Sequence, residues 1–252
     1  MNALINDGEI KKLLLHNIKA FIYDETDSTN TEARRLLKNG LTAPFAVISN
    51  IQTGGRGRSG KRFFSPACGV YVTCVLPTDE NMSDTVHVTS KAAVAVVRAI
   101  KKTFGIDTGI KWVNDIYLHG KKLAGILSES VCNDSGKVHS LIIGVGVNYC
   151  IDRFPDELAD IATSIWGTET ERHALIAEII NSMFEILYDP SELYMQEYMS
   201  HSIVLEKEIY FIKNGERFDG RAVSIDKNGA LHVLTEKGEQ ILNSGEISLR
   251  VK

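Results

Sequence analysis

The residue types best suited to chemistry lie in one short segment, residues 50–65, which reads NIQTGGRGRSGKRFFS. Glycine lets backbone N–H groups approach a ligand closely, and arginine offers a planar fork of donors that matches carboxylate and phosphate oxygens. The segment alternates four glycines with four cations: Gly54, Gly55, Gly57 and Gly60 with Arg56, Arg58, Lys61 and Arg62. Residues 53–65, called here the basic loop, therefore predict an anion site that is mobile when empty and ordered around its ligand. A solvated loop without function stays open as the alternative.

The basic loop also satisfies the pattern G-x-G-x-x-G, through Gly55, Gly57 and Gly60. A dinucleotide-binding fingerprint needs a strand before the glycines and a helix directly after them. The segment 45–49 predicts the strand, but the β-branched run at 69–76 predicts a second strand where the helix should begin. The context strand, loop, strand excludes a Rossmann-type site.

A second candidate is Lys111, which stands between Ile110 and Trp112 in the segment KWVND. Lysine is almost never fully buried without a partner. One interpretation pairs Lys111 with Asp115 in a structural ion pair. The other has Lys111 face an anionic ligand in a cleft, opposite the basic loop.

A third candidate is a run of short polar side chains, Ser28, Thr29 and Asn30, placed after a predicted strand at 20–23. Thr29 and Glu32 fit a capping box, which predicts that a helix begins here. These residues are either helix caps and nothing more, or side chains that read a polar small molecule beside free N–H donors.

The surrounding elements predict an α+β fold in two domains. Residues 1–202 predict a mixed β-sheet with packed helices, and residues 203–252 predict a small SH3-like β-barrel, since short alternating strands are separated by turns there. Within the first domain we expect one short helix in the first 19 residues, helices at 82–104, 171–187 and 191–199, a hairpin of 109–118 with 121–129, a strand at 140–149, and a loop from there to about 170. Turns of the second domain are expected at 214–215, 227–229, 237–238 and 244–245.

Composition limits the function classes. The chain has 252 residues with 28 basic and 32 acidic side chains, a net charge of −4, which argues against broad electrostatic binding of nucleic acid. Its four cysteines form no C-x-x-C motif and no histidine lies at ligand spacing, so neither a structural metal site nor a disulfide framework is expected. Without a signal peptide or a membrane span, a cytoplasmic protein is expected.

Taken together, Ser28–Asn30, Gln52–Arg62, Lys111–Ile116, Leu123–Leu127 and Gly144–Asn148 resemble the biotin protein ligase family. The resemblance extends from about Asp24 to the end of the chain, where Ser244, Gly245 and Glu246 resemble the family's small β domain. Departures are Val113 for the usual Pro and Ser59 for a frequent Arg, and neither removes a functional group. Longer members carry an N-terminal DNA-binding domain, and a ligase without repressor activity is expected here.

The resemblance implies a class II synthetase-like catalytic domain and a reaction in two steps. Biotin attacks the α-phosphate of ATP, with Mg²⁺ on the phosphates, and a lysine of a biotin carboxyl carrier domain then takes biotin from the adenylate. It further implies Lys111 and Arg56 as catalytic residues, and it leaves open whether the protein is a homodimer. The residues implied for biotin are Ser28, Thr29, Asn30, Gln52, Arg56, Gly57, Arg58 and Lys111, and those implied for ATP and the adenylate are Arg58, Asn114 and Asn148.

Two other functions compete with this one. A lipoate ligase shares the fold and the acyl-adenylate chemistry, and the G-R-G-R and KW-x-ND pair favours biotin over lipoate. A nucleic-acid-binding module would use the Arg/Gly loop and the terminal barrel, but the acidic net charge argues against it.

Overall fold

A computed structural model of the chain describes residues 4–15, 18–78, 85–133, 136–189, 191, 193–213, 215–243 and 248–251. The helices are α1 (Asp7–Leu13), α2 (Thr29–Lys38), α3 (Thr85–Phe104), α4 (Asp156–Ala159), α5 (Glu169–Tyr188) and α6 (Leu193–Ser200). The strands of the first part of the chain are β1 (Lys19–Thr26), β2 (Phe45–Gln52), β3 (Val70–Pro77), β4 (Gly109–Lys111), β5 (Asp115–Leu118), β6 (Lys121–Cys132) and β7 (Val138–Val147). Five more follow: β8 (Glu208–Lys213), β9 (Glu216–Ile225), β10 (Leu231–Thr235), β11 (Gly238–Leu242) and β12 (Ser248–Val251).

The large sheet is mixed and has seven strands in the order β1-β2-β3-β7-β6-β5-β4. Only β1 and β2 pair in parallel among the described strands, and the other neighbours are antiparallel. Two long strands, β6 and β7, form the middle of the sheet and carry its most extensive pairing. The sheet thus places β2, β3, β7, β6 and β5 side by side, and the basic loop joins two of them.

Both faces of the large sheet carry packed apolar side chains, because successive side chains of a strand point to opposite faces. On β2, Ala46 and Ile48 belong to the main core with α3 and α5, while Phe45 and Val47 belong to a smaller cluster with Ala33 of α2. The helices α3 and α5 pack against each other on the main-core face. The face on the α2 side is only partly filled, and the remaining part of it is open.

One row of paired residues crosses this open face of the sheet. Lys111 of β4 pairs with Asp115 of β5, and Asp115 pairs with Gly125 of β6. Gly125 pairs with Gly146 of β7, which in turn pairs with Tyr71 of β3. Directly paired residues share a face of the sheet. The register therefore sets Lys111 beside a stretch of sheet that carries no side chains.

The described part of residues 203–252 forms an antiparallel sheet with the strand order β11-β10-β9-β8-β12. The indole Nε1 of Trp112, in the turn between β4 and β5, donates a hydrogen bond of 2.8 Å to the backbone carbonyl of Gly229. This bond is buried and joins the small sheet to the large one. In the part of the chain that the structure describes, no helix has both the length and the hydropathy needed to cross a membrane.

Most predicted elements are confirmed, with shifted bounds. The context strand, loop, strand around the basic loop is confirmed by β2 and β3. The α+β class, the short N-terminal helix and the strand predicted at 140–149, which is β7, are also confirmed. Some predicted features lie outside the described residues in whole or in part: the helix start at 82–84, residue 192 of the helix at 191–199, the turn residue Asn214, the turn at 244–245, and the family resemblance of Ser244, Gly245 and Glu246.

Three local predictions are wrong. Residues 109–118 are two short strands, because a turn at 112–114 separates β4 from β5. The capping box at Thr29 and Glu32 is absent: Ser28 is the N-cap and makes no side-chain cap hydrogen bond. The hydroxyl of Thr29 instead contacts side chains of β2 and β3. The predicted loop to residue 170 contains α4, and α5 begins within it under a capping box of Thr168 and Glu171.

Candidate active site

A cavity of about 560 Å³ lies on the open face of the large sheet. Its wall is built by the start of α2, the basic loop, the β4–β5 turn, and the residues around α4, with Ile212 contributed by the small sheet. Nine of the ten residues that the sequence suggested for binding or catalysis line it: Ser28, Thr29, Asn30, Gln52, Arg56, Gly57, Arg58, Lys111 and Asn114.

The floor of the cavity is made of glycines in β6 and β7. A Cβ atom on Gly144 would lie 2.2 Å from Oδ1 of Asn30, and one on Gly146 would lie 2.5 Å from the ring of Phe63. A Cβ atom on Gly125 would lie 3.3 Å from the other edge of the Phe63 ring, a tight contact. Gly144 and Gly146 require glycine because the Asn30 amide and the Phe63 ring lie directly on the backbone of the sheet there.

The polar residues at the start of α2 are buried and aimed at the sheet. The backbone N–H of Thr29 donates to Oε1 of Gln52 at 2.9 Å, and Oγ1 of Thr29 lies 3.1 Å from the same oxygen. Thr73 of β3 contacts Oγ1 of Thr29 at 2.8 Å and Oδ1 of Asn30 at 2.7 Å. This arrangement holds the side chains rigidly, as a site that reads the donors and acceptors of a small molecule must be held.

The basic loop folds back on itself beside the cavity. Gly57 N donates to the Lys61 carbonyl at 2.7 Å, and Phe63 N donates to the Gly55 carbonyl at 2.9 Å. Arg58 leaves the loop and donates from Nη1 to Oδ1 of Asn114 at 2.9 Å. Burial lowers the pKa of Arg58, and the charge of Asp115 opposes that shift. The guanidinium still stays charged, since arginine is not deprotonated in proteins.

Lys111 faces the cavity. Its Nζ lies 3.3 Å from the hydroxyl of Tyr117 and 5.3 Å from the centre of that ring. Asp115 binds a different lysine: Nζ of Lys122 lies 2.6 Å from its Oδ1. Asp115 thus forms an ion pair with Lys122, and Lys111 lines the cavity together with the basic loop.

The charge around the cavity is strongly positive. Of the described residues that line it, one is an acid, Asp115, and six are cations: Arg56, Arg58, Lys61, Arg62, Lys111 and Lys122. The chain as a whole has a net charge of −4. A concave site lined by one sign of charge concentrates ligands of the opposite sign. The cavity suits a ligand, or two ligands together, that carries several negative charges.

Comparison with known proteins agrees with this geometry. The family model described as the biotin/lipoate A/B protein ligase family matches residues 22–148, half of the chain, and these residues hold most of the cavity wall. The chain belongs to the biotin/lipoate A/B protein ligase family. A second model, the biotin protein ligase C terminal domain, matches residues 204–250 of this ligase-family chain.

Individual relatives show how far the likeness extends. The bifunctional ligase/repressor BirA of Bacillus subtilis (strain 168) is 36% identical over 245 residues, which is 90% of this chain and 73% of the relative. The biotin--[acetyl-CoA-carboxylase] ligase of Paracoccus denitrificans is 38% identical over 125 residues, 49% of this chain and 51% of the relative. The solved biotin protein ligase from Aquifex aeolicus in complex with biotin and ATP superimposes with a TM-score of 0.77 at 25% identity, over 93% of this chain and 99% of that chain.

Asn148 is the predicted site residue that the structure of this ligase-family chain does not bring into the cavity. Its Nδ2 donates to the carbonyl oxygens of Lys122 at 3.3 Å and Thr163 at 3.0 Å, and the side chain is buried. Its backbone N–H donates to the carbonyl of Leu123. These bonds fix the segment after β7 against the start of β6, so Asn148 supports one wall without lining it.

Four residues of the site were missed in the sequence. Phe63 and Lys122 line the cavity directly. Thr73 and Glu129 stand behind it and bind Asn30, at 2.7 Å and 2.8 Å respectively. Phe63 lies within the basic loop, so its position was a usable signal. Thr73 and Glu129 lie within ordinary strands, and only the sheet register reveals that they face α2.

Proposed function

We infer that the chain is a biotin protein ligase, which activates biotin with ATP to biotinyl-5′-adenylate and transfers biotin to a lysine of a biotin carboxyl carrier domain. The observation that carries this conclusion is the cavity of six cations and one acid; these seven charged residues all lie within the segment that the ligase family model matches. The relatives of this chain that are named as biotin ligases support biotin over lipoate.

The first step must bring two anions together. A carboxylate and a phosphate oxygen about 4 Å apart repel each other by about 4 kcal/mol per charge pair at an effective dielectric near 20. We propose that Lys111 and Arg56 offset this repulsion: Lys111 binds the biotin carboxylate and the α-phosphate, and Arg56 lies over the carboxylate. This assignment is supported by the position of both residues in the wall of the same cavity. No protein nucleophile is required, because the carboxylate of biotin is itself the nucleophile.

We propose that the polar residues at the start of α2 bind the ureido ring of biotin through hydrogen bonds. Ser28, Thr29, Asn30 and Gln52 line the same cavity and are held beside Gly144 and Gly146, where their polar groups are close to one another. Gly57 and Arg58 then close over the carboxylate and the phosphate. Arg58 and Asn114, which are already hydrogen-bonded to each other, serve the adenylate, and the proposed contact of Asn148 with adenine needs a movement of that side chain.

Mg²⁺ enters as part of the nucleotide substrate. Among the described residues, no group of three or more His, Cys, Asp or Glu side chains could hold a metal ion, and Asp115 is engaged with Lys122. The small number of carboxylates in the cavity fits an ion carried on the triphosphate, since Mg²⁺ at nucleotide sites is bound mainly by substrate phosphates and water, with one or two carboxylates. The ion supplies neutralisation of phosphate charge.

The second step needs the adenylate to survive until the carrier lysine arrives. The lysine amine attacks the acyl carbon of biotin and forms an amide. The bond between that carbon and the phosphate oxygen breaks, and AMP leaves with its phosphate. A closed basic loop excludes water from the anhydride in the meantime. The arrangement supports this role, because the loop already lies along one wall of the cavity.

Other properties belong to the same proposal. We propose a catalytic domain of residues 1–202 with a class II synthetase-like sheet, and a domain of residues 203–252 whose antiparallel sheet curves into an SH3-like barrel. Four free cysteines support a reducing, cytoplasmic location. The net charge of −4 supports a ligase that acts without DNA, and a homodimer is to be measured by sedimentation.

The test is incubation of the purified protein with ATP and Mg²⁺ and either biotin or lipoate, followed by mass analysis. We expect biotinyl-adenylate with biotin and no lipoyl-adenylate with lipoate. Addition of a biotin carboxyl carrier domain should then consume the adenylate and increase the mass of the carrier by one biotinyl group. Accumulation of lipoyl-adenylate alone would overturn the assignment in favour of a lipoate ligase.

A further inference from the structure

Glu129 lies behind the cavity wall and binds residues from two different parts of the site. It belongs to β6 and pairs with Ile142 of β7, which places it on the cavity face of the sheet. Nδ2 of Asn30 donates to its Oε2 at 2.8 Å, and Nη2 of Arg56 donates to the same oxygen at 3.1 Å. Arg34 of α2 approaches the other oxygen at 3.5 Å. One carboxylate therefore connects the start of α2 with the basic loop.

The connection continues through the core of the site. On its other side, Asn30 accepts a hydrogen bond at Oδ1 from Thr73, whose hydroxyl also contacts Thr29. Thr73 is fully buried, so these bonds are shielded from water. Hydrogen bonds in such a shielded network are stronger than exposed ones.

From Thr29 the network returns to the basic loop. Oε1 of Gln52 accepts from Thr29, and its Nε2 donates to Oγ of Ser65 at 3.0 Å. Ser65 then donates to the carbonyl of Phe63 at 3.0 Å. The network thus begins at Arg56 and ends at Phe63, and both residues belong to the basic loop. A ligand that binds the start of α2 shifts groups that are linked to the loop at both ends.

The geometry at Arg56 favours an orienting role for Glu129 over an ordinary surface ion pair. An exposed pair contributes little, because water screens it and two long side chains must be ordered. Here the carboxylate is mostly buried, with 22% of its side chain exposed, and it binds a buried amide as well. In the described part of the chain, Glu129 holds only the Nη2 atom of Arg56. The remaining donors of the guanidinium are left for a ligand in the cavity.

We propose that Glu129 is a positioning residue that couples the reading of biotin by Asn30 to the placing of Arg56 over the biotin carboxylate. The proposal rests on the proposed function, since it assigns Glu129 to the same reaction. When Asn30 binds the ligand, its Nδ2 stays on Glu129, and Glu129 keeps Arg56 turned toward the cavity. Loss of the carboxylate leaves both residues in place but unlinks them.

The test is a double-mutant cycle of Glu129→Gln and Arg56→Gly, read as the rate at which biotinyl-adenylate leaves the enzyme. Glutamine keeps an acceptor for Asn30 and removes the charge that holds Arg56. Glu129→Gln should release the adenylate about tenfold faster, the scale of one lost charge-assisted hydrogen bond, and should raise the KM for biotin more than it lowers kcat. In the Arg56→Gly background the same change should have an effect below about twofold.

Controls separate this role from a structural one. Arg34→Gln removes a positive charge that lies beside the Glu129 carboxylate, and Arg34 does not line the cavity. This variant should leave adenylate release unchanged. Glu129→Asp keeps the charge but shortens its reach, and should give an intermediate rate. Effects of Glu129→Gln and Arg56→Gly that multiply in full, or a Glu129→Gln enzyme that releases adenylate like the wild type, would overturn the proposal. Wild-type protein that forms no adenylate would instead refute the proposed function.

Discussion

Arg58 of the basic loop donates a hydrogen bond of 2.9 Å from Nη1 to Oδ1 of Asn114, in the turn that follows Lys111. Asn114 in turn donates from Nδ2 to the carbonyl of Ile126 in the middle of the sheet at 2.9 Å. The two sequence motifs that identify the site, GRGR and KWVND, are therefore joined directly. The bond gives the flexible motif a fixed anchor beside the lysine that is proposed to bind both anions.

Arg58→Lys tests this anchor. Lysine keeps the charge but lacks the planar fork of donors, so it cannot bind Asn114 and a phosphate together. We expect the KM for ATP in adenylate formation to rise about tenfold, consistent with the loss of one charged hydrogen bond. The same substitution at the exposed Arg153 serves as the control and should leave the KM unchanged. A normal KM for ATP in Arg58→Lys would contradict the anchoring role.

Lys111→Ala tests the central cation. Removal of one donor aimed at the developing charge typically lowers the rate by about two to three orders of magnitude. Single-turnover formation of biotinyl-adenylate should therefore slow by at least about a hundredfold on that scale. Lys101→Ala is the matched control: Lys101 lies on α3 and forms an exposed ion pair with Asp107, and its loss should leave the full rate. Equal rates in both variants would show that Lys111 has no part in the chemistry.

Gly144→Ala tests the glycine floor. The new Cβ would lie 2.2 Å from Oδ1 of Asn30, which Thr73 and Glu129 hold in place. Overpacking of this kind costs about 1–3 kcal/mol, so the free energy of unfolding in a urea titration should fall by that amount. Asn30→Ala removes the atom that clashes. The double variant should therefore lose less stability than the sum of the two single losses, and a fully additive loss would show that the clash is relieved elsewhere.

Trp112→Phe tests the bond between the two sheets. It leaves the buried carbonyl of Gly229 without its donor, a loss that costs about 1–3 kcal/mol. Guanidinium titration should show this decrease in the free energy of unfolding. Trp166→Phe is the matched control: its indole is 59% exposed, and the change should stay within about 0.5 kcal/mol. Identical stabilities would mean that the indole bond contributes nothing to the joined structure.

His173 predicts a pH dependence at the N-terminal segment. Its Nε2 accepts a hydrogen bond of 3.1 Å from the backbone N–H of Asn6, which only a neutral ring can accept. Burial lowers the pKa of His173; nearby Glu169 and Glu9 oppose the shift, and Arg172 adds to it.

Because the folded pKa lies below the ordinary value near 6.5, the unfolded form binds more protons as the pH falls below that value. The stabilisation is thus present above about pH 6.5 and is lost progressively below it. Hydrogen exchange at Asn6, corrected for its intrinsic rate, should show falling protection in that range. In His173→Gln the protection should not change with pH. A His173→Gln variant whose protection still falls with pH as in the wild type would point to another titrating group.

Much of the site could be predicted from sequence because its residue types are unusual in their local sequence context. The Arg/Gly loop and the lone Lys111 are unusual wherever they stand, and β-branched runs on either side of the loop were enough to exclude a helix there. The polar residues Ser28, Thr29 and Asn30 drew notice for the same reason, although the capping box did not form. Tertiary contacts of Thr29 with Gln52 and Thr73 replaced that local bond.

The remainder depended on pairing between distant strands. The row from Lys111 through Asp115, Gly125 and Gly146 to Tyr71 exists only because five strands meet in one register. A shift of one residue would turn each side chain to the opposite face, and no short segment carries that information. For this reason Glu129 looked like any acid in a strand, and the sequence did not reveal Lys122 as a partner of Asp115.

The indole bond of Trp112 to Gly229, together with Ile212 at the rim, has a consequence for how this enzyme can evolve. The small terminal sheet supplies Ile212 to the wall of the cavity that is proposed to shield the adenylate from solvent. We therefore expect a lineage that exchanged or shed this sheet to lose adenylate to hydrolysis, however intact its catalytic motifs remained. Selection on the chemistry is thereby also selection on a sheet that contributes no reacting group.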